Sequence, residues 1–313
     1  MSYDLVTFGE ALLDLFPDVR GGYAGVRSFA VWPGGAPANV AQGVASTGAR
    51  VAFLGKVGPD PLGDGLLARM AERGVDVSRV VRSQGTPTGV TFVVLQHDGE
   101  RTFFPYRHLA ADKEAGPGDI PDEAFAGARV VHLGANCMAL PASDEATSRV
   151  VALAEAHGAL LSFDPNLRTH FHLSNPAVME RVRALADRAH LVKLSREETG
   201  PLYGTREAMC ARLFAGAAQV VVETRDRDGA AWWSRDGRSG VDRGFPRDVV
   251  DATGAGDAFT AGLLSALLRE GWPAVGLHAL PDGALAGAVH AGNRFGSHCV
   301  GLVGATADWP RLS

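Results

Sequence analysis

The sequence predicts an α/β fold: a mainly parallel central sheet with helices on both faces, and a small separate β-sheet lid. Three observations carry this. Short apolar runs alternate with helix-period segments along the 313-residue chain. The runs are nearly continuous in apolar residues, the pattern of strands buried on both faces of a parallel sheet. Two further regions fit no strand–helix unit.

In chain order, DLVTFGE opens with a strand. Residues 12–32 lie between this strand and the first helix and show no helical period. VAFLGKVG is the next apolar run, and 61–74 has helical period. TGVTFVVLQ and RTFFPYR read as two strands joined by HDGE, with Asp98-Gly99 as the hairpin signal. Both irregular regions are expected to leave the main sheet and pair with each other over its carboxyl edge. The polar, turn-rich stretch 110–123 leads back to the main body. ARVVHLGAN, ALLSFDPN, AHLVKLS and AQVVVET are further buried strands, alternating with helices over 143–158, 176–187 and 206–216. In such sheets ligands bind beyond the carboxyl ends of the strands.

Composition excludes several classes. Charged residues are 21% and the formal net charge is -5, with no basic cluster to meet nucleic acid. No apolar run is long enough for a membrane span, and Asp4, Glu10 and Asp14 interrupt what would be a signal segment. Cys137, Cys210 and Cys299 are odd in number and widely spaced. They point to buried thiols in a reducing cytoplasm, not to a disulfide framework or a zinc site.

Chemistry concentrates in VVDATGAGDAF, residues 249–259. A helix start leaves about four N–H groups unpaired and carries positive partial charge. Gly254, Ala255 and Gly256 add no bulk there, so the turn can cradle a phosphate or oxyanion. Asp257 then stands beside the anion, where a general base would take a proton from an attacking hydroxyl. A helix cap and a tight turn need the same residues, so both readings stand on this stretch alone. It is not a Walker A loop, and it comes too late for a dinucleotide fingerprint. In PGGAPANVA, Gly34 and Gly35 let backbone approach a ligand, and the amide of Asn39 both donates and accepts. Asp14 reads either as a sugar-hydroxyl acceptor or as a solvated loop acid.

PGGAPANVA, KVGPDPLGDGL, FDPNLR, KLSREE, DATGAGDAF and the terminal GATADWP occur in this order. Together they make the chain resemble the PfkB (ribokinase-like) carbohydrate kinases over essentially its whole length. GEALLDLFP, ERTFFPYRHLAAD, DPNLR and KLSREE look most like fructokinases, and 2-keto-3-deoxygluconate kinases share much of the pattern. The resemblance implies a ribokinase-like three-layer fold and a single kinase domain over 1–313, its lid formed by about 12–33 and 88–108. It implies ATP and Mg2+ as cofactors, with K+, and a small-molecule sugar as substrate. It also implies a cytoplasmic setting and a homodimer formed through the lid.

By the same resemblance, Asp257 is the base and Gly254, Ala255 and Gly256 form the anion hole. Asp14, Gly34, Gly35, Asn39, Arg107 and Arg168 hold sugar and phosphate. Thr224, Gly229 and Asn293, with Gly254 and Gly256, border the nucleotide. Ser195 and Glu198 act on magnesium, the glutamate through water; they also spell a helix N-cap and its capping box. Asp251 and Thr253 hold the monovalent cation with carbonyls near Cys299 and Gly304, or Asp251 is a structural acid.

The chain departs from the family at Asp226, where glycine is usual, and at Pro105, which suggests an edge strand; at Ser195 serine replaces the family's asparagine, as in many fructokinase-like members. His170 and His172 form an H-x-H without a third ligand. The expected activity is fructokinase. Its rivals are 2-keto-3-deoxygluconate kinase, a nucleoside kinase lacking any aromatic base clamp, and a catalytically silent sugar-binding protein.

Overall fold

The computed structural model describes residues 2–95, 101–138, 140–167, 175–272, 276, 280–281 and 283–305. The expected hairpin turn at 98–99, Arg168, His170 and His172 lie outside the described residues. The strands are β1 (Leu5–Phe8), β2 (Leu12–Pro17), β3 (Phe29–Gly34), β4 (Val51–Leu54), β5 (Lys56–Val57), β6 (Val75–Asp76), β7 (Val81–Arg82), β8 (Val90–Leu95), β9 (Arg101–Tyr106), β10 (Val130–Gly134), β11 (Leu160–Asp164), β12 (Leu191–Ser195), β13 (Val220–Thr224), β14 (Ala230–Ser234) and β15 (Ser239–Asp242). The helices are α1 (Ala36–Ala45), α2 (Pro61–Glu72), α3 (Pro141–Ala156), α4 (Pro176–Arg188), α5 (Arg196–Tyr203), α6 (Arg206–Ala215), α7 (Ala255–Arg269) and α8 (Ala284–Val300).

The main sheet runs β15-β14-β13-β12-β11-β10-β1-β4-β6. It is parallel from β13 to β6, while β14 and β15 pair antiparallel at one edge. Successive residues of a strand feed opposite cores, as a doubly covered sheet requires. Val6 and Phe8 pack with α3, α4 and α6 on one face, and Leu5 packs with α1, α7 and α8 on the other. The predicted helices begin where their caps place them. Asp60 accepts the Gly63 N–H at 2.9 Å ahead of α2, Asn175 accepts the Ala177 N–H at 3.1 Å ahead of α4, and proline follows each cap. None of the helices is long and apolar enough to cross a membrane, among the described residues.

After β1 the chain leaves the main sheet through Gly9-Glu10-Ala11 and enters the lid, a separate sheet in the order β3-β2-β8-β9. The lid unites the two irregular regions as the sequence predicts. Pro105 sits on its edge strand β9, where a missing N–H costs no ladder bond. Asp14 lies within β2 and is buried, not a solvated loop acid. The parallel strands end toward one rim, which carries Asp164, Ser195 and Thr224.

Candidate active site

The glycine turn expected to bind an anion opens α7. Its N-cap, Gly254, has φ +77°, and a Cβ there would lie 2.3 Å from the Ala305 Cβ. Only glycine combines that left-handed backbone with so close a neighbour. The Ala255 N–H closes the turn on the Ala252 carbonyl at 3.2 Å.

Asp257 is buried in the first turn of α7. Its Oδ2 accepts the Asn39 amide Nδ2–H at 2.8 Å, and its Oδ1 lies 3.5 Å from Asn166 Nδ2. A carboxylate only accepts, so Asn39 must turn its nitrogen to Asp257. That leaves Asn39 Oδ1 buried and without a partner among the described residues. The bond joins two residues singled out in the sequence, across 218 positions of chain.

Beneath the turn, Lys193 Nζ donates to Asp164 Oδ2 at 2.8 Å. The Thr260 hydroxyl lies 3.3 Å from the same Asp164 oxygen and 3.0 Å from the Gly256 carbonyl. Burial pulls the Lys193 ammonium down, but the carboxylates of Asp164, Glu198 and Asp257 outweigh it and hold the group above its ordinary value. Sequence reasoning missed Lys193, Asp164 and Asn166, although the stretches KLSREE and FDPNLR contain them.

At the corner expected to take the sugar, the carboxylate of Asp14 lies over Gly34. A Cβ at that glycine would come 2.5 Å from Asp14 Oδ2. Gly35 has φ +102°, and a Cβ there would lie 2.3 Å from the Glu10 carbonyl oxygen. Glu10 Oε1 accepts the Ala36 N–H at 3.2 Å and so completes the start of α1; the sequence reading did not single it out. Arg107 is not a solvated edge group. It is buried and forms an ion pair with Asp112. Lys113 beside them is held below its ordinary value by burial and by the Arg107 guanidinium.

Glu198 accepts the Leu167 N–H at 2.6 Å and the Ser195 N–H at 2.7 Å. Burial and then the neighbouring Asp164 push its carboxyl above the ordinary value. Ser195 is the N-cap of α5, so the capping reading is realised. Asp251 accepts the Thr253 N–H at 2.7 Å and the Gly304 N–H at 2.8 Å. The Cys299 thiol, pushed up to about 12 by burial and then by Asp257, lies 3.4 Å from the Thr253 carbonyl. Gly304 in turn rests against the ring of Trp32 from the lid.

Thr224, Gly229 and Asn293 gather at a second corner. The Arg225 N–H reaches the Gly229 carbonyl at 2.7 Å, and Asn293 Nδ2 reaches Asp242 Oδ1 at 2.7 Å. A Cβ on Gly229 would lie 2.0 Å from the Asp242 carbonyl, which brings the two groups into contact. Asp226 holds φ +53° in that turn, as an aspartate in glycine's place can. A buried carboxylate at a glycine-rich helix start, between the polar corner of Asp14 and a second glycine turn, is an arrangement that could serve transfer of an anionic group to a hydroxyl.

The profile described as pfkB family carbohydrate kinase matches residues 2–312. Fructokinase-1 of Oryza sativa subsp. japonica is 36% identical over 270 residues, 85% of this chain and 83% of the relative. The fructokinase of Xylella fastidiosa with bound ATP superimposes with a TM-score of 0.88 at 32% identity, covering 99% of this chain and 96% of that one. A double mutant of Vibrio cholerae O395 fructokinase, in its fructose, ADP and potassium ion bound form, gives a TM-score of 0.86 at 30% identity, covering 99% and 96%.

Proposed function

The chain belongs to the pfkB family of carbohydrate kinases and is an ATP-dependent phosphotransferase, and on that premise we propose that it is a fructokinase making fructose 6-phosphate from D-fructose. The observation that carries this reading is the Asn39–Asp257 hydrogen bond of 2.8 Å at the anion-binding turn. It holds the base between the turn that would receive the γ-phosphoryl group and the corner of Asp14, Gly34 and Gly35 that would receive sugar. The similarity to fructokinases of Oryza sativa and Xylella fastidiosa supports fructose as the acceptor.

The sugar hydroxyl gives its proton to Asp257, and its oxygen forms a bond to the γ-phosphorus of ATP as the bond to ADP breaks. Helix-end N–H groups of the turn, aimed at the charge that moves, stabilise it without reorganisation. The donor set at Asp251 fits a monovalent cation: a buried carboxylate and the Thr253 carbonyl meet on one loop. K+ there would order the turn without touching substrate. Mg2+ supplies charge on the nucleotide phosphates, and Glu198, whose oxygens already hold two N–H groups, would act on it only through water. Arg107 would serve the sugar from its pair with Asp112, and Arg168 the sugar and phosphate. Thr224, Gly229 and Asn293 would border the adenine nucleotide. The lid would close over the sugar and exclude water. Free Cys210 and Cys299 accord with work in the cytoplasm.

The test is ADP release with Mg2+ and K+, offering D-fructose, 2-keto-3-deoxygluconate, D-ribose, D-glucose and adenosine separately. Turnover should be strongest on fructose. Asp257→Asn should fold and lose ~10²–10⁴-fold in rate; near-normal turnover would remove Asp257 from the mechanism. Turnover on the keto acid alone would reassign Arg107 to a carboxylate. Sugar binding without transfer would favour a silent binding protein.

A further inference from the structure

Three side chains beneath the anion-binding turn take no part in the steps above. Lys193 stands on β12, Asp164 ends β11, and Thr260 lies one turn into α7. The Lys193–Asp164 pair is nearly enclosed, with 7% and 5% of the side chains exposed, and its N–O distance is 2.8 Å. The same ammonium lies against Gly256: a Cβ there would stand 3.0 Å from Nζ. The Thr260 hydroxyl, with one hydrogen to give, reaches the Gly256 carbonyl at 3.0 Å and has the Asp164 carboxylate 3.3 Å away. The residue before the base is thus supported at its Cα by an ammonium and at its carbonyl by a hydroxyl. The ammonium is anchored on the Asp164 carboxylate.

Charge explains why a lysine belongs there. Asp164, Glu198 and Asp257 all act on this one enclosed ammonium. Uncompensated charge in such surroundings is costly, and an adjacent buried cation offsets it. A fixed positive charge behind an anion-binding turn also acts on negative charge gathering in front of it, most strongly where water is excluded.

We propose that Lys193, held by Asp164, is a positioning residue for phosphoryl transfer that fixes Gly256 and charges the anion-binding turn from behind. The proposal rests on the reading of this turn as the transfer site. Lys193 acts on the transfer step and not on holding the sugar, because Asp14, Gly34 and Arg107 are set by the lid strands and the Arg107–Asp112 pair.

Steady-state kinetics and thermal melting of four variants test this. Lys193→Met should lower kcat by roughly 10²-fold and leave the KM for sugar within about threefold, since only transfer is touched. It also leaves Asp164 enclosed without its cation, so melting should fall. Adding Asp164→Asn should restore much of the melting temperature but not kcat, because the cation is still missing. Recovery of both in the double variant would reduce the pair to a structural role and overturn the proposal. So would a wild-type kcat in Lys193→Met. If that variant fails to fold, Thr260→Val carries the test: roughly tenfold loss of kcat with sugar KM kept supports the proposal, and unchanged kcat overturns it. Asp257→Asn separates the two ideas. If it turns over normally, the reading of the turn itself fails; if it is inactive while Lys193→Met and Thr260→Val are normal, only the role of Lys193 fails.

Discussion

His132 lies in the middle of β10, directly across from Ser162 of β11. It is fully enclosed, and its Nδ1 is 3.0 Å from the Ser162 hydroxyl. Burial lowers its pKa from 6.5 to about 4; Asp164 opposes the shift and Lys193 adds to it. A folded pKa below the unfolded one means that the unfolded chain takes a proton the folded protein refuses. Stability from this group is therefore complete above the unfolded value and is lost as pH falls toward the folded value. At pH 5.0 the unfolded imidazole is nearly all charged and the folded one nearly all neutral. The loss relative to pH 7.5 is about 2 kcal/mol. His132→Gln keeps an amide within reach of Ser162 and removes the titration. Urea unfolding of both proteins at the two pH values checks it, since titrating groups remote from His132 cancel in the comparison. The wild type should lose about 2 kcal/mol more than the variant. Equal pH dependence in the two would refute the reasoning, because an enclosed neutral imidazole cannot be silent in that window.

Three other outcomes are expected. Gly254→Ala meets both a left-handed backbone, roughly 1–2 kcal/mol, and the Ala305 side chain, roughly 1–3 kcal/mol. It should lower the melting temperature and displace the turn, so that turnover falls as well; a variant normal in both would show that the turn tolerates a side chain. Replacing K+ by Na+ or tetramethylammonium at constant ionic strength should reduce turnover through Asp251, and indifference to the swap would leave Asp251 a purely structural acid. The outer lid face carries Phe29, Phe92 and Tyr106 in edge contacts at 5.5 and 5.9 Å, with Phe104 53% exposed beside them. Such a face suits a second copy of the chain, so the wild type should sediment as a dimer and Phe104→Glu as a monomer; a monomeric wild type would remove the lid interface.

How much of this was legible follows from where each signal lies along the chain. The parallel core was readable because Leu5, Val6 and Phe8 serve both faces and leave an unbroken apolar run. The lid was readable because residues 12–32 lack helical period between the first strand and the first helix. The antiparallel edge formed by β14 and β15 was not. Its strands are short, and Asp242 joins Asn293 only in three dimensions. Helix α8 was hidden by its own composition. Gly287, Gly292 and Gly296 weaken the helical signal, yet Gly292 is required because a Cβ there would come 3.0 Å from the Phe259 ring of α7. The anion-binding turn stood out because its residues are contiguous. Lys193 and Asp164 did not, because each ends or interrupts an apolar strand and reads as ordinary. Only the parallel pairing of β11 with β12 makes one the partner of the other.

Glu198 and Asp251 show why a structural reading of a polar residue need not compete with a functional one. Glu198 spends its oxygens on the N–H groups of Ser195 and Leu167, and Asp251 spends its own on Thr253 and Gly304. Both are caps in the ordinary sense, satisfying backbone donors that burial would otherwise strand. But the backbone they tie down is the rim itself. Leu167 leads into Arg168, Thr253 leads into the anion-binding turn, and Gly304 meets Trp32 of the lid. A carboxylate that organises two such segments fixes the distance between them, and positioning of that kind is what a transfer site needs. The cap and the proposed catalytic role would draw on one set of hydrogen bonds. A substitution that spares the charge but not the geometry, such as Glu198→Asp, therefore breaks both together.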